Sequence, residues 1–299
     1  MQNDALKALK ELPPNTFDVA VTSPPYFWVR DYGFDAQIGH EDTVDNYVKR
    51  LADIFDEVKR VLCDEGVFYL NIGDTYYSGN GQPHGSDPAC SSRNFMRTKL
   101  RPVDQSGWDI PQKSLIGIPW KVAFELQRRN WTLRSDIIWE RDNALSEPSA
   151  RDRPHRSYEH IFMFSKSRFY SFDRSKLGDQ EDVWRFPIER VKLIDHNAPF
   201  PTALVERCIE TGSPPFGKVL DPFVGSGTTV NVARALKRHC VGIDAHPSYI
   251  KQIRQNLMDL GCKPFGWPNM IQSLAAPSPN FKQWIGNLKN MKKPKGKKN

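Results

Sequence analysis

Two short stretches carry the residue types that a group-transfer site needs. The first is Thr22-Ser23-Pro24-Pro25-Tyr26, directly after the apolar run Phe17–Thr22. Pro24 and Pro25 fix φ, remove two backbone donors and hold the residue before each in an extended geometry. The Ser23 hydroxyl and the Pro24 carbonyl are then presented as acceptors, with the Tyr26 ring alongside. An exocyclic amino group on a base is the complement, two N–H donors conjugated to an aromatic face. The second stretch is Asp221-Pro222-Phe223-Val224-Gly225-Ser226-Gly227-Thr228-Thr229. Gly225 and Gly227 allow a tight turn that brings backbone N–H groups to a ligand, at a helix N-terminus that favours negative charge. The next strand ends at Asp244, 17 residues beyond Gly227, where a carboxylate suits a pair of ribose hydroxyls. No Gly-Lys-Ser/Thr follows, so this is not a P-loop, and Val230 stands where a full G-x-G-x-x-G needs its third glycine. A cofactor with an adenosine and a charged end follows, and both NAD and S-adenosylmethionine qualify. The first turn decides between them, because a hydride transferase leaves Thr22–Tyr26 without a task.

The elements that must position these turns are readable from periodicity. Phe17–Thr22, Gly66–Ile72, Thr132–Trp139, His160–Phe164, Lys218–Leu220 and His239–Ile243 read as strands, with Phe169–Phe172 as a pairing partner for His160–Phe164. Apolar residues at 44, 47, 48, 51, 54, 55, 58, 61 and 62 form a helical stripe, with Asp42 or Thr43 as its N-cap. Further helices are expected at Pro119–Asn130, Thr202–Thr211, from the Gly turn to Leu236, and at Pro247–Leu260. Strands alternating with helices predict a mostly parallel sheet with helices on both faces, which binds ligands at the carboxyl ends of its strands. If the strands before the two turns are neighbours, both turns face one crevice.

The chain has 299 residues, 39% hydrophobic and 26% charged, which fits a globular α/β protein. No apolar run approaches membrane-helix length and no signal peptide opens the chain, and five scattered cysteines without C-x-x-C argue for a reducing cytoplasm and against a zinc site. The histidines show no metal-ligand spacing, so no metal is assigned. The net charge of +7 resides in the seven lysines from Lys282 onward, leaving residues 1–281 formally neutral. Basic residues within the body are the better candidates for phosphate and base-edge contacts: Arg30, Arg93, Arg97, Lys99, Arg101, Arg151, Arg153 and Arg156. Arg156, Glu159 and His160 read equally well as a structural ion and hydrogen-bond cluster.

Taken together, Thr22–Tyr26 followed by Val29-Arg30-Asp31-Tyr32-Gly33, then Ile72-Gly73-Asp74-Thr75-Tyr76, His196-Asn-Ala-Pro-Phe-Pro201 and the Gly turn resemble the β class of DNA amino-methyltransferases, in which the catalytic motif precedes the cofactor motif. The resemblance implies a Rossmann-like S-adenosylmethionine-dependent methyltransferase fold with a seven-stranded mostly parallel sheet. It implies a catalytic domain over 1–262, in this permuted order, with DNA-recognition insertions at about 77–116 and 173–195, whereas the Pro/Lys-rich extension over 263–299 has no clear place in the family pattern. By the same carry-over, Ser23, Pro24, Pro25 and Tyr26 hold a flipped base. Asp4, Thr22, Phe200, Pro201, Asp221, Pro222, Phe223, Gly225, Ser226, Gly227, Thr228 and Asp244 surround the cofactor. Almost nothing precedes Asn3-Asp4 to form the strand the family has there. S-P-P-Y is the form usual for cytosine N4, whereas D-P-P-Y is usual for adenine N6. The expected partners are double-stranded DNA and a cognate restriction endonuclease, for a monomer or homodimer. Adenine N6, an RNA or protein amine, and a non-catalytic nucleic-acid-binding module are the competing readings.

Overall fold

The computed structural model describes residues 5–32, 37–82, 100–143, 151–189, 201–262 and 270–273. Asp4, Arg93, Arg97, Lys99, Phe200 and the lysines from Lys282 onward lie outside them. Its centre is one eight-stranded sheet of β1 (Phe17–Thr22), β2 (Leu62–Ile72), β3 (Thr132–Glu140), β4 (Tyr158–Ser165), β5 (Val183–Arg185), β6 (Lys218–Asp221), β7 (His239–Ile243) and β8 (Met270–Ser273). The spatial order is β5-β3-β4-β2-β1-β6-β7-β8. β1 pairs in parallel with both β2 and β6, and β6 with β7, whereas β4 and β8 run antiparallel to their neighbours. The chain leaves β1 toward β2 and returns on its other side as β6. That reversal makes the β1/β6 boundary the topological switch point, where such sheets bind ligands.

The fold is the expected one, with differences at the edges. The sheet has an eighth strand, β5, which pairs in parallel with β3. It buries Trp184 between exposed flanks, and three residues are too few to show a period. The sheet also continues past residue 262, since β8 closes the outer edge of β7. Phe169–Phe172 is not a strand. β4 already has β2 on one side and β3 on the other, and Phe169 is left exposed.

Two apolar layers cover the sheet. On one face α1 (Ala5–Lys10), α2 (Val44–Val61) and α3 (Ile118–Arg128) pack on Phe17, Ala20, Phe68 and Leu70. On the other, α4 (Thr202–Gly212), α5 (Thr228–Ala235) and α6 (Pro247–Asp259) pack on Val19, Val21 and Val67. Phe17 and Val19 would share a face under strict alternation, but a register irregularity between them turns them to opposite layers. Thr43 is the N-cap of α2, its hydroxyl accepting from the Asn46 N–H. Among the described residues no helix is long and apolar enough to cross a membrane.

Candidate active site

Parallel pairing of β1 with β6 sets the two turns side by side, and one carboxylate joins them. Asp221 Oδ1 accepts from Thr22 Oγ1 at 2.6 Å and from the Phe223 N–H at 3.0 Å, while Oδ2 accepts from Thr229 Oγ1 at 2.6 Å. Thr22, Asp221 and Thr229 are all buried. Asp221 therefore ties the end of β1, the Gly turn and the first turn of α5 into one unit, behind the crevice. Burial outweighs its three donors and pushes its carboxyl up to about 6.

The Gly turn is built as its glycines predict. Gly225 and Gly227 lie at φ +50° and +89°, and a Cβ on Gly227 would meet Ile253 Cγ1 at 2.7 Å. The Gly225 N–H donates to Asp244 Oδ2 at 2.9 Å and the His246 N–H to Oδ1 at 2.7 Å. Burial pushes the Asp244 carboxyl, too, up to about 6. Each of its oxygens keeps lone-pair capacity for a further donor. Pro222 is buried behind the turn, whereas Phe223, Ser226 and Thr228 are partly exposed along it. Pro201 is buried at the start of α4, its carbonyl accepting from Leu204 N–H at 3.1 Å. A carboxylate able to take a ribose diol, beside a glycine turn that opens α5, is a donor and acceptor set that fits S-adenosylmethionine.

The Thr22–Tyr26 turn is braced by α2 and by the segment that follows the turn. Tyr47 of α2 donates to the Pro25 carbonyl at 2.8 Å. No described residue donates to the Pro24 carbonyl, which remains available as an acceptor. Trp28 leaves the turn at φ +52°, a strained conformation for a bulky residue. It is held by its N–H on the Gly39 carbonyl at 2.7 Å, its indole N–H on the Glu41 carbonyl at 2.8 Å, and stacking on His40.

Tyr26 is anchored by groups that motif reading did not find. Its hydroxyl donates to Glu159 Oε2 at 2.6 Å and lies 3.3 Å from Asn71 Oδ1, while Ser23 Oγ donates to it at 3.2 Å. Burial, then the Glu159 charge, pushes the Tyr26 phenol well above its ordinary pKa. Glu159 thus braces the Thr22–Tyr26 turn, where the sequence reads it in a cluster with Arg156 and His160. His160 instead bonds Asp136 through Nδ1 at 2.8 Å. A usable signal existed for Asn71, an amide inside the apolar strand of Gly66–Ile72, because buried polar residues in such strands need partners. Asp74 is occupied structurally, accepting from Gly117 and Ile118 N–H groups at the start of α3.

The proposed DNA contacts divide. Arg101 is turned inward, its guanidinium bonded to Asp104 at 2.7 and 3.0 Å and its side chain only 16% exposed. That ion pair closes the Pro102–Asp104 turn and removes Arg101 from the surface cations. Arg156 reaches the Asp74 carbonyl at 2.5 Å, fastening its loop to the end of β2. Arg153 stacks on the Tyr76 ring at 3.8 Å, Arg151 is exposed, and Arg30 is half-buried in the segment that follows the Thr22–Tyr26 turn.

The comparisons agree with this geometry. A family model described as DNA methylase matches residues 17–255. Type II methyltransferase M.SmaI of Serratia marcescens is 41% identical over 266 residues, spanning 85% of this chain and 89% of that protein. Type II methyltransferase M.Cfr9I of Citrobacter freundii is 42% identical over 257 residues, 83% of this chain and 84% of the relative. Among solved structures, PvuII DNA methyltransferase (cytosine-N4-specific) has the same fold, with a TM-score of 0.64 at 16% identity over 97% of this chain and 90% of that one. The M1.HpyAVI–SAM complex gives 0.54 at 17% identity over 86% and 96%. With the Thr22–Tyr26 turn and the Gly turn both inside the matched span, the chain belongs to the DNA methylase family, and its cofactor is S-adenosylmethionine.

Proposed function

We propose that this protein transfers a methyl group to the exocyclic N4 amino group of a cytosine flipped out of duplex DNA. The observation that carries the reading is the pair of unclaimed acceptors, Ser23 Oγ and the Pro24 carbonyl, on a turn joined to the cofactor cradle through the 2.6 Å Thr22–Asp221 bond. Ser23 at the head of the turn favours cytosine N4 over adenine N6, through the resemblance to S-P-P-Y enzymes. By the Type II names of its relatives, the protein protects a recognition site from a cognate endonuclease.

S-adenosylmethionine held at the cradle would supply an electrophilic methyl group, its sulfonium leaving as a neutral thioether while the amino nitrogen gives up one proton. The amino lone pair of the base is delocalised into its ring and is a poor nucleophile. Acceptors at Ser23 and Pro24 draw on its two N–H bonds and favour a more tetrahedral nitrogen. The Tyr26 ring fixes the plane of the base, and the joint at Asp221 fixes the distance between the two halves of the site. Positioning and local electrostatics thus carry the catalysis, without a covalent enzyme intermediate. Leaving the stack costs a few kcal/mol, which contacts from Arg151 and Arg153 to the DNA backbone would offset.

Asp244 makes cofactor binding sensitive to pH. The ionised carboxylate is the stronger acceptor for ribose hydroxyls, and its pKa stands at about 6. As pH falls through that value, protonation competes with the cofactor, so affinity weakens by up to about tenfold per pH unit. Calorimetric titration between pH 5 and 8 is expected to show this slope in the wild type. Asp244→Asn should bind weakly with a flattened profile, and an equal slope in that variant would assign the titration elsewhere.

The substrate class is tested with tritiated S-adenosylmethionine and equal amounts of duplex DNA, RNA and protein at fixed salt. Label is expected in duplex DNA, and label confined to RNA or protein would overturn the reading.

A further inference from the structure

A serine at the head of the turn poses a problem that an aspartate does not. A carboxylate only accepts hydrogen bonds, whereas a hydroxyl both donates and accepts. A freely rotating Ser23 would welcome an amino group, by accepting, and equally a ring carbonyl, by donating. Selection of an amino-bearing base therefore needs the Ser23 hydrogen to be committed elsewhere.

We propose that Glu159 fixes the direction of a hydrogen-bond chain from Ser23 through Tyr26, making Ser23 acceptor-only and so rejecting bases that present a carbonyl at the reacting position. This rests on the functional reading above and assigns Glu159 and Asn71 as positioning and specificity residues. The chain runs from Ser23 Oγ to the Tyr26 hydroxyl at 3.2 Å and from there to Glu159 Oε2 at 2.6 Å. The second distance is that of a charge-assisted O–H···O⁻ bond. A carboxylate cannot donate, so the Tyr26 hydrogen must point at Glu159. The Tyr26 oxygen is then left as acceptor for the Ser23 hydrogen, and the Ser23 lone pairs face the crevice. Tyr26 stays a protonated donor because burial and the Glu159 charge both raise its pKa.

Glu159 is itself held in place. Arg141, just beyond β3, donates to Oε1 at 3.3 Å and to the Arg156 carbonyl at 2.7 Å. Asn71 of β2 donates to Glu159 Oε2 at 3.2 Å and to the His160 carbonyl at 3.1 Å. Those two donors orient the Asn71 amide, so its oxygen lies toward the Tyr26 hydroxyl at 3.3 Å as a second acceptor. The two atoms that face the Tyr26 hydroxyl from behind, Glu159 Oε2 and Asn71 Oδ1, are thus both acceptors of its hydrogen. The lock is assembled from β2, β4 and the segment after β3, none of which contributes to the Thr22–Tyr26 motif itself.

The test uses the full-length protein with S-adenosylhomocysteine in place of the methyl donor, so that binding is read without transfer. The probes are two duplexes built on a site that the wild type is first shown to methylate in plasmid DNA. The target position holds deoxycytidine in one and deoxyuridine in the other, each opposite an abasic site so that unpairing costs the same. The wild type is expected to prefer deoxycytidine by roughly 10-fold or more, as a matched hydrogen-bond pair against a mismatched one allows. In Glu159→Gln, whose amide can donate, and in Tyr26→Phe, which ends the chain at Ser23, the preference should fall toward unity. The double variant should discriminate no worse than either single one, because the residues act as one unit. A purely structural role would weaken both duplexes together and leave their ratio intact. A wild-type ratio near one, or a ratio preserved in both variants, overturns the proposal. Absence of any methylated amino base from the wild type would instead overturn the functional reading beneath it.

Discussion

Gly73→Ala is expected to abolish most methyl transfer while leaving folding and cofactor binding near wild type. Gly73 follows β2 directly beneath the Tyr26 ring, and a Cβ there would stand 2.7 Å from Tyr26 Cε2 and 3.2 Å from Cδ2. The ring has no easy retreat. Its hydroxyl is tied to Glu159, and its backbone follows two prolines, the second fastened to Tyr47. Gly73 is not among the residues at positive φ, so alanine strains no backbone and the clash falls on the ring. A shift of the ring by about 1 Å in a site that works by positioning costs on the order of 100-fold in rate. Single-turnover transfer, with cofactor affinity and thermal midpoint as controls, checks this. A rate within a few-fold of wild type would mean that the ring does not position the base.

The other large effect is expected on stability. Asp221→Ala removes the common acceptor of Thr22, Thr229 and the Phe223 N–H, and both threonines are buried with about no access to water. Each orphaned buried donor costs about 1–3 kcal/mol, so the total is a large share of the 5–15 kcal/mol that typically holds a domain together. The thermal midpoint should fall by on the order of 10 °C, and the two turns should lose their fixed separation, so that transfer falls even in the folded fraction. Asp221→Asn is the informative companion. Its amide oxygen can still accept from one threonine while its amide nitrogen donates to the other, and it avoids the cost of burying a charge that raises the native pKa to about 6. It should therefore retain much of the stability that alanine loses. A normal melting curve for the alanine variant would mean that Asp221 is not the joint of the site.

These two variants also mark where reading the chain succeeds and where it stops. The strands that carry both turns are short and β-rich, and the α/β pattern puts both turns at the carboxyl ends of a parallel sheet, on one crevice if the two strands are neighbours. The crevice between Thr22–Tyr26 and the Gly turn was therefore legible as a conditional, which the pairing of β1 with β6 fulfils. The bond that joins its halves was not, because Thr22 and Asp221 are 199 positions apart and neither residue type announces a partner. The same holds for Tyr26. Its role as a ring beside two acceptors follows from the motif, but its anchoring by Glu159 depends on the antiparallel pairing of β4 with β2, which sets Ile72 opposite His160. Arg101 shows the opposite failure. A basic residue in a polar segment reads as a surface cation, until Asp104 three residues later proves to be its partner. β5 escaped because only Trp184 of its three residues is buried, too little for a period to register.

The most direct test of the account is the identity of the modified base. Purified protein is incubated with S-adenosylmethionine carrying a deuterated methyl group and unmethylated duplex DNA of diverse sequence, and the digested nucleosides are resolved by mass spectrometry, with Ser23→Ala in parallel. The account predicts deuterated N4-methylcytosine, reduced by about 100-fold or more in the variant, as loss of a positioned polar group at a reacting centre commonly does. Deuterated N6-methyladenine as the product, or undiminished N4-methylcytosine from Ser23→Ala, would contradict it.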